Sequence, residues 1–111
     1  MLSRSQRLSG EQLDAVMEKG RATHSSLFWM RTLKYEGLTK VAAIAPQKIA
    51  KTAVQRNSLR RKMYESIKPF FGSITPNHLI VVCAKEPVKK SVFKDLAKEM
   101  REIFVKSGLL K

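Results

Sequence analysis

Acidic residues are scarce in this chain: 9 Asp and Glu stand against 22 Lys and Arg among 111 residues, a formal net charge of +13 and a pI near 10.3. Such an imbalance repels itself and is usually kept for a polyanionic partner. Nucleic acid fits best, because each neutralised phosphate releases a condensed counterion. An anionic membrane surface comes second. Cysteine is nearly absent. Cys83 alone cannot close a disulfide within the chain, and its place in the apolar run 79–84 reads as a buried small hydrophobe. Long hydrophobic stretches are missing too. No run approaches the roughly 20 residues of a membrane-spanning helix. The first residues are polar and basic, with no secretory signal. A cytoplasmic protein with no membrane partner is expected.

Groups that do chemistry are equally sparse. The 2 histidines, His24 and His78, lie on different segments. The carboxylates are scattered, whereas two-metal nucleases need them clustered. No Cys/His spacing suits a metal, and there is no glycine-rich phosphate loop or nucleophile elbow. The expectation is a chain with no catalytic residue, no bound metal and no small-molecule substrate of its own.

What is present is an ordinary 43% of hydrophobic residues, enough for one core. A single domain over 1–111 is expected, with 1–7 as a mobile basic arm. The first helix is read at 11–19. Ser9 caps it, Gln12 completes a capping box, and Gly20 stands where a helix end favours positive φ. Residues 27–35 read as a strand with Leu27, Trp29 and Leu33 on one side and Phe28 and Met30 on the other. Glu36-Gly37 suits a hairpin turn, and 40–45 reads as the returning strand. Thr52 opens a second helix, again with a boxed partner in Gln55, running to about Lys68. Its buried stripe is Leu59, Met63, Ile67 and Phe70. Residues 79–84 have the continuous apolar character of a central strand. Ser91 caps a last helix over 91–107. The order is α+β: helices packed against a small sheet.

Charge location says more than charge total. Between Glu36 and Glu65 lie Lys40, Lys48, Lys51, Arg56, Arg60, Arg61 and Lys62, with no acid among them. At about 100° per residue, Asn57, Arg60, Arg61, Tyr64 and Lys68 share one flank of the second helix. Arginine forks suit phosphate oxygens, tyrosine can stack on a base or donate a hydrogen bond, and free N–H groups at the helix start attract phosphate. The last helix instead mixes Lys94, Lys98, Arg101 and Lys106 with Asp95, Glu99 and Glu102, as a solvated face does.

Residues 48–65, Lys48-Ile-Ala-Lys-Thr-Ala-Val-Gln-Arg-Asn-Ser-Leu-Arg-Arg-Lys-Met-Tyr-Glu65, resemble the signature of the bacterial ribonuclease P protein family. Lys48, Ala53, Arg56, Asn57, Arg61 and Glu65 match it in register, and Arg60 replaces a lysine. The resemblance implies a two-layer α/β sandwich, ribosomal protein S5 domain 2-like. Its order is α-β-β-(β)-α-β-α, the bracketed strand optional, with a left-handed βαβ crossover through the second helix. It implies an accessory subunit of an endoribonuclease whose catalytic RNA hydrolyses precursor tRNA with magnesium held by RNA, removing the 5′ leader. The partners would be that RNA and precursor tRNA. RNA contacts would fall on Lys48, Lys51, Arg56, Asn57, Arg60 and Arg61, then Lys62, Tyr64 and Lys68. A leader cleft would involve Leu13, Met17, Phe28, Met30 and Arg31.

Several positions depart from the family pattern. Ser58 and Tyr64 replace arginines, and Lys62 stands where an apolar residue is usual. Leu13, Met17 and Arg31 occupy places the family often gives to aromatics, which weakens the expectation of base stacking in the cleft. The rival reading is a non-enzymatic RNA-binding module of the same fold, such as a ribosome-associated protein.

Overall fold

The computed structural model describes residues 7–25, 27–85 and 93–110. The order is α1 (Gly10–Lys19), β1 (Arg21–His24), β2 (Phe28–Lys34), β3 (Lys40–Ile44), α2 (Ala53–Ile67), a 3-10 segment Lys68–Ser73, β4 (His78–Ala84) and α3 (Phe93–Lys106). The expected arm at 1–6 and the Ser91 cap lie outside the described residues. Both other capping boxes are present: Ser9 Oγ accepts from Gln12 N, Thr52 Oγ1 accepts from Gln55 N, and each glutamine accepts from its cap residue's N–H.

The sheet has four strands in the order β1-β2-β4-β3. The expected hairpin between β2 and β3 is therefore absent: β3 runs parallel to β4, with Val41 opposite Ile80 and Ala43 opposite Val82. The reason is non-local. The chain after β2 crosses the start of β4, where Tyr35 N donates to Asn77 O at 2.9 Å and Asn77 Nδ2 to Gly37 O at 2.8 Å. Thr39 Oγ1 bonds Thr75 O and accepts from His78 N. Asn77, at φ 65, takes the left-handed turn that asparagine tolerates. This crossing delivers β3 to the far edge and leaves β4, the most apolar strand, between two neighbours. A third strand ahead of α2 is present, but it precedes the other two. The polar stretch Arg21–His24 has no apolar alternation to announce it.

Side chains alternate across the sheet. Phe28, Met30, Val41, Ala43, Ile80 and Val82 face α2 and α3, where they pack with Met63, Ile67, Leu96, Met100 and Phe104. Phe70 and Phe104 meet edge to face at 5.1 Å. On the opposite face Leu79 and Val81 meet Val16, with Leu8, Leu13, Trp29, Leu33, Ala42 and Ile44 around them. Thus α1 covers one face and α2 with α3 the other. Cys83 is buried, as expected, and burial pushes its thiol up to about 11.

Gly20 is not the positive-φ cap the sequence suggests, since its φ is −72°. Its glycine is required by close approach instead: a Cβ there would lie 2.4 Å from Val16 O and 3.2 Å from Arg31 Cβ. Gly20→Ala should therefore cost about 1–3 kcal/mol by overpacking. Urea melts would read this as a lower midpoint, and an unchanged midpoint would show that α1 can lift from β2 freely.

Candidate nucleic-acid interface

The Asn57–Tyr64 flank of α2 lies beside the open edge of the sheet, while Leu59, Met63 and Ile67 are buried beneath the helix. Three segments meet there. Arg7 forms a parallel bridge with Val41, so the chain before α1 runs along the free edge of β3. Together with the Asn57–Tyr64 flank of α2 it encloses a groove of about 860 Å³. The groove is lined by Arg7, Leu8, Ser9, Lys40, Ala42, Ala43, Asn57, Arg60, Arg61 and Tyr64, and no acid is among them.

The lining cations come from distant parts of the chain. Arg60 and Arg61 are exposed on α2, and Arg60 Nη2 donates to Asn57 Oδ1, which orients the guanidinium. Lys40 opens β3. Arg7 Nε is shut off from solvent and has no hydrogen-bond partner among the described residues. Buried polar groups are normally satisfied, so an enclosed guanidinium N–H beside further cations suits an anionic acceptor. A phosphate oxygen has the geometry for it. The N-terminus of α1 at Ser9 adds a favourable dipole end.

Not all the expected residues meet here. Asn57, Arg60, Arg61 and Tyr64 do. Lys48 and Lys51 are exposed on the loop before α2, and Lys68 is exposed at the far end of the helix, so these remain outside the groove. Lys62 is half-buried and does not line it either. Arg56 serves the loop: its Nη1 donates to Ala50 O and Lys51 O, each at 3.2 Å. The start of α2 is also less open than expected, because the Thr52 hydroxyl already takes the Gln55 N–H.

Tyr64 corrects the expectation of a stacking platform. Its ring is buried, and its hydroxyl accepts from Ala43 N at 3.1 Å. That N–H belongs to the unpaired edge of β3, so Tyr64 satisfies an edge strand that would otherwise expose its ladder. Tyr64→Phe should cost about 1–2 kcal/mol through the orphaned N–H, which urea melts would read as a lower midpoint. Full stability with a large loss of RNA affinity would show that the hydroxyl serves the groove rather than the strand edge.

The expected cleft residues also divide. Phe28 and Met30 are fully buried on the face covered by α2 and α3, and so cannot line a cleft beside α1. Strand alternation puts Trp29, Arg31 and Leu33 on the α1 side instead. There Leu13 is half-buried, Met17 is 38% exposed, and Arg31 Nη1 donates to Met17 O at 2.9 Å. Trp29 joins the cleft side unexpectedly, although its parity with Arg31 is readable in the sequence. Arg7 belongs to the groove rather than to a mobile arm, and no local signal shows its bridge to Val41.

Among the described residues no three His, Cys, Asp or Glu side chains gather where an ion could sit. Nor is any helix there long and apolar enough to cross a membrane.

Fold and groove together define a small basic α+β protein that offers a polyanion a cationic groove at the edge of its sheet. Residues 2–108 match the family model described as Ribonuclease P. The ribonuclease P protein component of Exiguobacterium sibiricum is 28% identical over 103 residues, covering 91% of this chain and 88% of that protein. That of Symbiobacterium thermophilum is 28% identical over 98 residues, covering 86% and 84%. Among solved structures, the Staphylococcus aureus RNase P protein superposes with a TM-score of 0.80 at 17% identity, over 97% of this chain and 100% of that one. The Thermotoga maritima RNase P protein does so at 0.68 and 19%, over 91% and 93%. The chain belongs to the ribonuclease P protein family.

Proposed function

We propose that this chain is the protein component of ribonuclease P, binding the catalytic RNA and precursor tRNA and assisting removal of the tRNA 5′ leader. The observation that carries this reading is the groove in which Arg7, Lys40, Arg60 and Arg61 converge without an acid. The protein's part is electrostatic. Its cations lower the repulsion between two RNAs and hold them in register, and each phosphate contact releases counterions. The exposed Lys48 and Lys51 extend the same field along the loop before α2. Beside α1, Arg31 and Met17 offer a charged and flexible surface to a leader strand.

In this reading the hydrolysis belongs to the RNA and the magnesium it holds. One phosphodiester is cut, leaving a 5′-phosphate on the tRNA and a 3′-hydroxyl on the leader. Reconstitution tests it. Ribonuclease P RNA from a matched relative, mixed with precursor tRNA at low magnesium, should cleave faster when this protein is added. RNA binding without stimulation would favour a non-enzymatic RNA-binding module of the same fold.

A further inference from the structure

The sheet face covered by α2 and α3 runs out of helix at one end. Along β2, Phe28, Met30, Thr32 and Lys34 alternate onto that face, opposite Ala84, Val82, Ile80 and His78 of β4. The first two pairs are core and the last is polar. The helix above stops in step: α3 ends at Lys106, and Gly108, at φ +86, reverses the chain. Leu109 N and Leu110 N both return to Phe104 O, at 3.1 and 3.2 Å, and Leu109 O accepts from Thr75 N at 2.8 Å. What remains is a hollow of about 440 Å³ whose lining includes Lys19, Arg21, Thr32, Lys34, His78 and Ser107, with no acid.

Arg21 lies opposite Thr32 on β1, so it is a diagonal neighbour of Lys34. Both side chains are exposed and long enough to meet at that spacing, and no acid lines the hollow beside them. A helix C-terminus is ordinarily unkind to anions. Here Phe104 O, Val105 O and Ile103 O are all taken by the N–H groups of 107–110, which blunts that end. The hollow is also remote from the first groove. One is lined from β3, α2 and the chain before α1, the other from β1, β2, the start of β4 and the end of α3, and they share no lining residue. The Arg21–Lys34 pair, on β1 and β2, is at least two strand spacings, about 10 Å, from β3. One phosphate cannot serve both.

We propose that this hollow is a second RNA-backbone site, which seats a phosphate between Arg21 and Lys34 and lets the protein hold two separate RNA segments. This second site presupposes the RNA-binding role of the chain, and the test separates the two. The full chain carrying Arg21→Ala and Lys34→Ala is titrated with folded ribonuclease P RNA across a range of salt. The slope of log affinity against log salt should become shallower by about 0.7–0.9, the share of one phosphate, with several-fold weaker binding at low salt. The thermal midpoint should be unchanged or higher, because a repulsive pair is gone. Arg21→Lys with Lys34→Arg, which keeps the charge, should bind as the parent does. An unchanged slope in the alanine pair overturns the second site. If Arg60→Ala with Arg61→Ala then still lowers the slope, the first groove stands alone; if neither pair moves it, both readings fall. A response to polyglutamate but not to RNA would assign the hollow to an acidic protein and overturn the proposal as well.

Discussion

Reversing the charge of Arg60 and Arg61 together, to glutamate, should nearly abolish binding of ribonuclease P RNA while leaving the fold intact. Both side chains are exposed on α2 and line the groove, on a flank beside the helix's buried stripe. Removing either contact forfeits a charge-assisted hydrogen bond of about 1.5–3 kcal/mol. Two together are worth at least about 3 kcal/mol, roughly a hundredfold in affinity. The new carboxylates would add repulsion against phosphate. The salt dependence should flatten by about two phosphate contacts, and the thermal midpoint should hold. Arg56 is the wrong partner for this test, because it ties the loop before α2 through Ala50 O and Lys51 O. Its loss would mix binding with folding. Parent-like affinity in the glutamate pair would take α2 out of the interface altogether.

Phe28→Ala should destabilise the protein more than Gly20→Ala or Tyr64→Phe, at about 3–5 kcal/mol. Its side chain is 0% exposed and packs in the cluster that α2 and α3 close over the sheet. For a small domain such a loss consumes most of the net stability, so the variant should be largely unfolded near room temperature, as circular dichroism and urea titration would record. A cleft-lining phenylalanine would behave differently, with a small cost to stability and a marked cost to RNA binding. The two measurements together decide which face Phe28 occupies. Leu13→Ala and Met17→Ala, on the partly open side, should be much milder.

Phe28 also shows how far the sequence can be read. Its parity with Met30 is plain, so their sharing a face is legible. Which face is the core is not, since both sides of β2 carry large apolar residues. The same limit appears in β3. Glu36-Gly37 has the chemistry of a tight turn, yet the pairing is decided by β4, whose residues lie some forty positions further on. Capping boxes at Ser9 and Thr52 are readable because their partners sit three residues away. Tyr64 is misleading for the opposite reason. A helical wheel puts it on the cationic flank, but the wheel knows nothing of the strand edge at Ala43 whose N–H the hydroxyl reaches.

Periodicity, caps and the long acid-free stretch were sufficient, on their own, to establish an α+β protein with an uncompensated cationic middle segment. These are properties of near neighbours, and near neighbours write them into the order of residues. The groove itself was decided only in three dimensions. Arg7, Lys40 and Arg60 come together because a crossing over the start of β4 places β3 at the sheet edge, where the chain before α1 can bridge to it. Strand order is a competition among distant segments for burial and hydrogen bonds, and no local pattern records its winner.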